Sequence, residues 1–157
     1  MGAFLSVTGR FRKVGTAGLL LSGMILAGVM APPALANNYE AVVRDQLTSA
    51  AQVLRAQGFT LVDTHVDRMN ANSTDSFTIA LSKGVTYNVL AVCDQDCSDI
   101  DLQLVDSAGD VVEEDMTTDD IPMVLTRAVY TGEHTIKVQM YNCSNSPCFY
   151  GVAVYRN

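Results

Sequence analysis

The sequence predicts a mainly β protein: an antiparallel β-sandwich of about eight short strands with one amphipathic helix at its N-terminal edge. Three observations predict it. Turn-forming clusters recur roughly every eight to twelve residues after Gly58. Only one segment carries a helical apolar stripe. Four cysteines fall in two local pairs, each flanking a turn beside a predicted strand.

The first 36 residues stand apart from the fold. Arg10, Arg12 and Lys13 form a basic start, Ala17 to Ala31 is an uncharged apolar run, and Pro32-Pro33 ends it. Ala34-Leu35-Ala36 then supplies the small residues that a signal peptidase requires. The run falls short of the roughly 20 apolar residues of a membrane span. Residues 1–36 therefore read as a signal peptide cleaved after Ala36, which leaves no stable membrane span and places the mature chain in a secreted or periplasmic setting. No cysteine lies near residue 36, which excludes lipid attachment there.

The leader holds three of the ten basic residues and none of the 17 acidic ones, so the mature chain carries a net charge of −10. Such a domain is a poor partner for nucleic acid or an anionic lipid surface. It suits cations, basic proteins or plain solubility.

Residues 37–58 read as the helix. Tyr39, Val42, Val43, Leu47, Ala50 and Leu54 recur at three- and four-residue steps. Asn37 with Glu40 resembles a capping box, and Gly58 fits a left-handed stop. Residues 59–157 form the sandwich domain. Strands are expected from Phe59 toward Met69, at Phe77 to Leu81, Val85 to Cys93, Ile100 to Val105 and Val111-Val112. Three more are expected at Met123 to Tyr130, His134 to Met140 and Phe149 to Tyr155, with an acidic loop from Glu113 to Asp120.

Export makes disulfides stable. Four cysteines allow three connectivities, and local pairing, Cys93 with Cys97 and Cys143 with Cys148, is geometrically easiest. Spacings of C-x3-C and C-x4-C depart from the C-x2-C zinc knuckle.

The segment from Cys93 to Asp106 packs two cysteines and five carboxylates into 14 residues. Hard cations such as Ca2+ take six to eight oxygens, and clustered aspartates on a turn supply several at short range. Asp94, Asp96, Asp99 and Asp101 are the candidate calcium ligands, with Asp119 and Asp120 of the second acidic group completing the shell if the two loops meet. Asp99 and Asp101 lie two apart, on one face of a strand opposite Ile100 and Leu102. The loop lacks the glycine and glutamate of an EF-hand.

The order Gly84-x-x-Tyr87, Asp99-x-Asp101-Leu102-x-Leu104, Asp106-x-x-Gly109 and Gly132-x-x-x-Ile136-x-Val138 resembles the bacterial pre-peptidase C-terminal domain family over roughly residues 75 to 157. That resemblance implies a jelly-roll-like sandwich in secreted proteins, usually appended to peptidases, with calcium bound in related collagen-binding modules. This chain differs in its N-terminal helix, in His134 where the family has an aromatic residue, and in its paired cysteines.

Two histidines, His65 and His134, offer the alternative of a small secreted hydrolase with Ser76, Ser82 or Asp63. No G-x-S-x-G elbow, phosphate loop or H-E-x-x-H motif accompanies them. The sequence favours a non-catalytic binding module with disulfide-shaped acidic loops and an unidentified protein or extracellular partner.

Overall fold

The computed structural model describes residues 38–157. The expected leader, its cleavage site and Asn37 lie outside the described residues. Helix α1 (Tyr39–Ala56) starts at Asn38, whose Oδ1 accepts the Ala41 amide at 3.2 Å. The cap is thus one residue later than the sequence suggested. The Glu40 carboxylate pairs with Arg44 one turn on, at 2.7 Å. Gly58, at φ +90°, ends the helix in the left-handed region that glycine adopts freely.

Eight strands follow: β1 (Thr60–Met69), β2 (Ser73–Leu81), β3 (Thr86–Cys93), β4 (Cys97–Asp106), β5 (Val111–Asp115), β6 (Met123–Arg127), β7 (Gly132–Cys143) and β8 (Cys148–Arg156). They form two four-stranded antiparallel sheets, ordered β1-β8-β3-β6 and β2-β7-β4-β5. That is the order of an eight-stranded jelly roll, as the resemblance implied.

Several boundaries differ from the sequence expectation, and pairing explains each. Strand β4 begins at Cys97 because that residue pairs with Cys143 on β7. The acidic stretch Glu113–Asp115, expected as loop, is strand: its backbone pairs with Leu102, Gln103 and Leu104. Gln103 Nε2 also donates to Glu114 Oε2 at 2.7 Å across that pair. Charged side chains are tolerated there because β5 is a sheet edge. Strand β6 stops at Arg127, where pairing with Thr86 ends.

Apolar alternation divides β3 and β8 between two cores. Tyr87, Val89, Ala91, Ile100, Leu102, Leu104, Ile136, Val138, Tyr150, Val152 and Val154 fill the space between the sheets. The opposite faces of β3 and β8 present Leu90, Val92, Ala153 and Tyr155 to Val43, Leu47 and Leu54 of α1. The helix therefore covers the outer face of the β1-β8-β3-β6 sheet and makes a third layer.

Candidate functional site

Both disulfides are local, Cys93–Cys97 and Cys143–Cys148, and both lie at one end of the sandwich. Their loops are tied together. The Ser144 amide and hydroxyl both donate to the Asp96 carbonyl, at 2.8 and 2.9 Å. The Asn142 amide group donates to Ser98 Oγ at 2.8 Å. The second loop also reaches the β1–β2 turn, where Ser146 Oγ accepts the Ala71 amide at 2.9 Å. Each short bridge removes little unfolded-state entropy, so its effect is to fix loop shape.

The six aspartates named from the sequence do not form one cluster. Asp94 is 2% exposed, and both its oxygens are taken: Oδ2 by the Phe149 amide at 2.7 Å, Oδ1 by the Asp96 amide at 3.0 Å. It ties the first disulfide loop to the start of β8. Asp96 faces the second disulfide loop. Asp99 and Asp101 are both buried on β4, beside β-bulges in the β4–β7 ladder. The segment after β5 runs alongside them, because the Asp119 carbonyl accepts the Ile100 amide at 3.0 Å and continues the ladder past the end of β5. The Pro122 carbonyl accepts the Ala91 amide at 3.0 Å, so this segment spans both sheets. Asp120 is exposed beyond it.

This arrangement gathers Asp99, Asp101, Asp115 and Asp119. The Thr117 hydroxyl lies 2.6 Å from Asp115 Oδ1 and 2.8 Å from Asp119 Oδ2, with one proton to give. That hydroxyl and the Met123 amide hold the Asp115 carboxyl below its usual range. Burial pushes Asp101 up, and the charges of Asp99, Asp115 and Asp119 push it further.

The sign for stability follows. A carboxyl whose pKa is raised on folding binds its proton more tightly in the folded state, so its ionised form opposes folding. The penalty is absent below the unfolded value of 3.8 and becomes complete as pH rises through the folded value. Asp101→Asn should therefore raise the melting temperature by a few degrees at neutral pH in EDTA, and leave it unchanged at about pH 3. Paired thermal scans check this. A lower melting temperature at neutral pH would show the ionised form to be a net stabiliser.

The two histidines part company. His134 is buried on β7, with Nδ1 3.2 Å from the Gly132 carbonyl oxygen and its ring stacked on Tyr130 at 5.0 Å. His65 lies on edge strand β1, its ring centroid 4.4 Å from that of Phe77. Ser76 lies on β2 between Asp75 and Phe77, so its side chain leaves the opposite face. His65 borders a cavity of about 260 Å3 between the β1 and β2 edges, with Phe77, Ile79, Ile136, Val152 and Val154 as its apolar lining.

His65, Asp67 and Asp75 come together at this edge, one ligand atom from each within 4.8 Å of the others. Sequence reasoning missed the trio. The H-x-D spacing was legible as two side chains on one strand face. Asp75 joins them only because β1 and β2, in different sheets, face each other across the sandwich edge.

The fold and its acidic end define a class: a disulfide-stapled, helix-capped antiparallel sandwich with a carboxylate-rich rim. No family model matches the chain. No curated protein matches it in sequence. Among solved structures, one similar chain is the pre-peptidase C-terminal domain of a collagenase from Bacillus anthracis, at 13% identity and a TM-score of 0.49, covering 60% of this chain and 89% of that one. Another is PliG of Aeromonas hydrophila, a periplasmic inhibitor of g-type lysozyme, at 12% identity and a TM-score of 0.47, covering 60% of this chain and 85% of that one.

Proposed function

We propose that the mature protein is an exported, non-catalytic binding module whose recognition surface is the acidic end of the sandwich, and that its partner is a protein with a basic surface. The observation that carries this reading is the linkage of the two disulfide loops through Asp96 and Ser144, which makes that end rigid before any partner arrives. A pre-formed surface loses little entropy on binding. Beside the carboxylates, Ile121, Met123 and Leu125 form an exposed apolar strip, with Leu125 56% exposed. Apolar contact edged by charge suits a protein partner better than a free ion or sugar.

The test compares two variants of equal net charge. One carries Asp96→Asn, Asp119→Asn and Asp120→Asn at the rim; the other carries three neutral substitutions far from it, at Asp63, Asp110 and Glu133. Binding to cationic proteins of the same compartment should weaken at least tenfold in the first and stay near wild type in the second. Equal losses would reduce the effect to bulk charge and end the proposal. The same purification tests export: the intact mass should match cleavage after Ala36, with all four cysteines resistant to alkylation until reduced.

Calcium belongs to this reading at Asp99, Asp101 and Asp119, where a divalent ion would offset the mutual repulsion that adds to burial in raising the Asp101 carboxyl. Added Ca2+ should then raise the melting temperature of wild type and leave Asp101→Asn unmoved. Identical curves with Ca2+ and EDTA would remove calcium from the proposal.

A further inference from the structure

We infer that His65, Asp67 and Asp75 form a site for a divalent transition metal of the zinc class, and that the ion pins the two sheets together at their open β1/β2 edge. His65 and Asp67 lie two apart on β1 and share a face. In the β1–β8 ladder they sit opposite Val152 and Tyr150, whose side chains enter the core between the sheets. Asp75 comes from β2 in the other sheet. An ion held by all three would therefore bridge layers that are joined covalently here only by the Asn70–Asn72 turn.

The donor set suits such an ion. Imidazole nitrogen with carboxylate oxygen is a mixed set that favours zinc and its neighbours over calcium. In tetrahedral zinc sites, ligand atoms lie about 3.3 Å apart at bond lengths of about 2.0 to 2.2 Å. His65 Nε2 and Asp67 Oδ2 are 4.0 Å apart. Modest closure brings them to bonding distance, and edge-strand side chains have room for it. His65 Nε2 is buried and has no hydrogen-bond partner. Among the described residues neither Asp67 nor Asp75 is paired with lysine or arginine. The cluster thus holds two anionic groups and an unsatisfied nitrogen around one point, a combination that a bound cation resolves.

The surroundings fix the ligands as metal sites require. The Tyr150 hydroxyl donates to Asp75 Oδ2 at 2.6 Å, and the Ser76 amide donates to Oδ1 at 2.7 Å. The Arg68 amide donates to Asp67 Oδ1 at 2.8 Å, which leaves Oδ2 turned toward His65. Tyr150 is a positioning residue here, since it would act through Asp75 rather than touch the ion. Three protein ligands leave at least one coordination position open, and the cavity begins at His65.

The experiment uses the untagged exported protein stripped with EDTA and dialysed. Zn2+ is titrated by calorimetry, Co2+ by its visible absorption, and Ca2+ serves as the hard-ion control. One equivalent of Zn2+ should bind, the melting temperature should rise, and Co2+ should give the intense bands of a low-coordinate nitrogen–oxygen site. Ca2+ should neither displace Zn2+ nor alter the Co2+ bands, and any rise it gives in melting temperature should be absent in Asp101→Asn. His65→Ala and the exposed Asp67→Asn should each abolish the Co2+ bands and weaken Zn2+ binding at least tenfold. Tyr150→Phe should weaken it about tenfold while retaining the bands. Absence of one-to-one Zn2+ binding, or binding that survives both His65→Ala and Asp67→Asn, overturns the site. The acidic-rim variants should bind Zn2+ like wild type, which separates this inference from the binding reading above.

Discussion

Replacing Asp94 with alanine should cost the domain about 3 kcal/mol and lower its melting temperature by roughly 10 °C. The side chain is almost wholly buried and serves two amide donors, those of Phe149 and Asp96. Alanine leaves both without an acceptor where water reaches poorly, and each orphaned donor costs about 1 to 3 kcal/mol. Against a total stability of about 5 to 15 kcal/mol that is a large share. Asp94→Asn keeps one acceptor oxygen and should lose about half as much. Denaturant titration of the three proteins measures the series. A loss below 1 kcal/mol in Asp94→Ala would show that the loop finds other acceptors, and the carboxylate would return to the list of free ligands.

The second large effect concerns the helix. Gly151 on β8 faces α1, and a Cβ placed there would lie 2.8 Å from both Leu47 Cδ1 and Val43 Cγ1. Its φ is not in the left-handed region, so the backbone accepts any residue. Space alone demands glycine. Alanine could be absorbed by rotating the ends of Leu47 and Val43, at about 1 kcal/mol. Valine adds two more carbons against packed side chains and should cost about 3 kcal/mol, in the range of severe overpacking. Because α1 covers Leu90, Val92, Ala153 and Tyr155, lifting it re-exposes that layer. Gly151→Val should therefore show early proteolysis within residues 39–56 and a lower melting temperature, with the inter-sheet core retained. Wild-type protease resistance in this variant would mean that the helix shifts sideways without losing its seat.

These effects bear on the proposed surface. Asp94 holds the first disulfide loop to β8, and β8 carries the helix on its other face. Rigidity at the acidic end and attachment of α1 are therefore properties of the same strand. Substitutions at Asp94 should weaken partner binding even though that side chain is hidden from any partner.

The alternation of Phe77, Ile79 and Leu81, of Ile100, Leu102 and Leu104, and of Ile136 and Val138 named core faces that the structure fills. The helical stripe likewise named Val43, Leu47 and Leu54. These positions were legible because each depends on periodicity along a single element. The acidic site was legible only in part. Fourteen residues dense in aspartate marked the place, but not which carboxylates share it. Asp94 and Asp99, five residues apart, have different surroundings because a disulfide-closed turn and β-bulges intervene.

Composition and local pattern alone determined that this chain alternates into short strands, carries one amphipathic helix ahead of them, and can close each cysteine pair over a short turn. Those outcomes depend on neighbours in the chain, whose distances the covalent backbone limits. Tertiary structure alone decided that Asp115 and Asp119 stand beside Asp101, that Gly151 lies beneath Leu47, and that Asp75 faces His65 and Asp67. Each of these meetings joins residues through sheet order and layer stacking, and a one-residue change of register would turn the side chains to the opposite face.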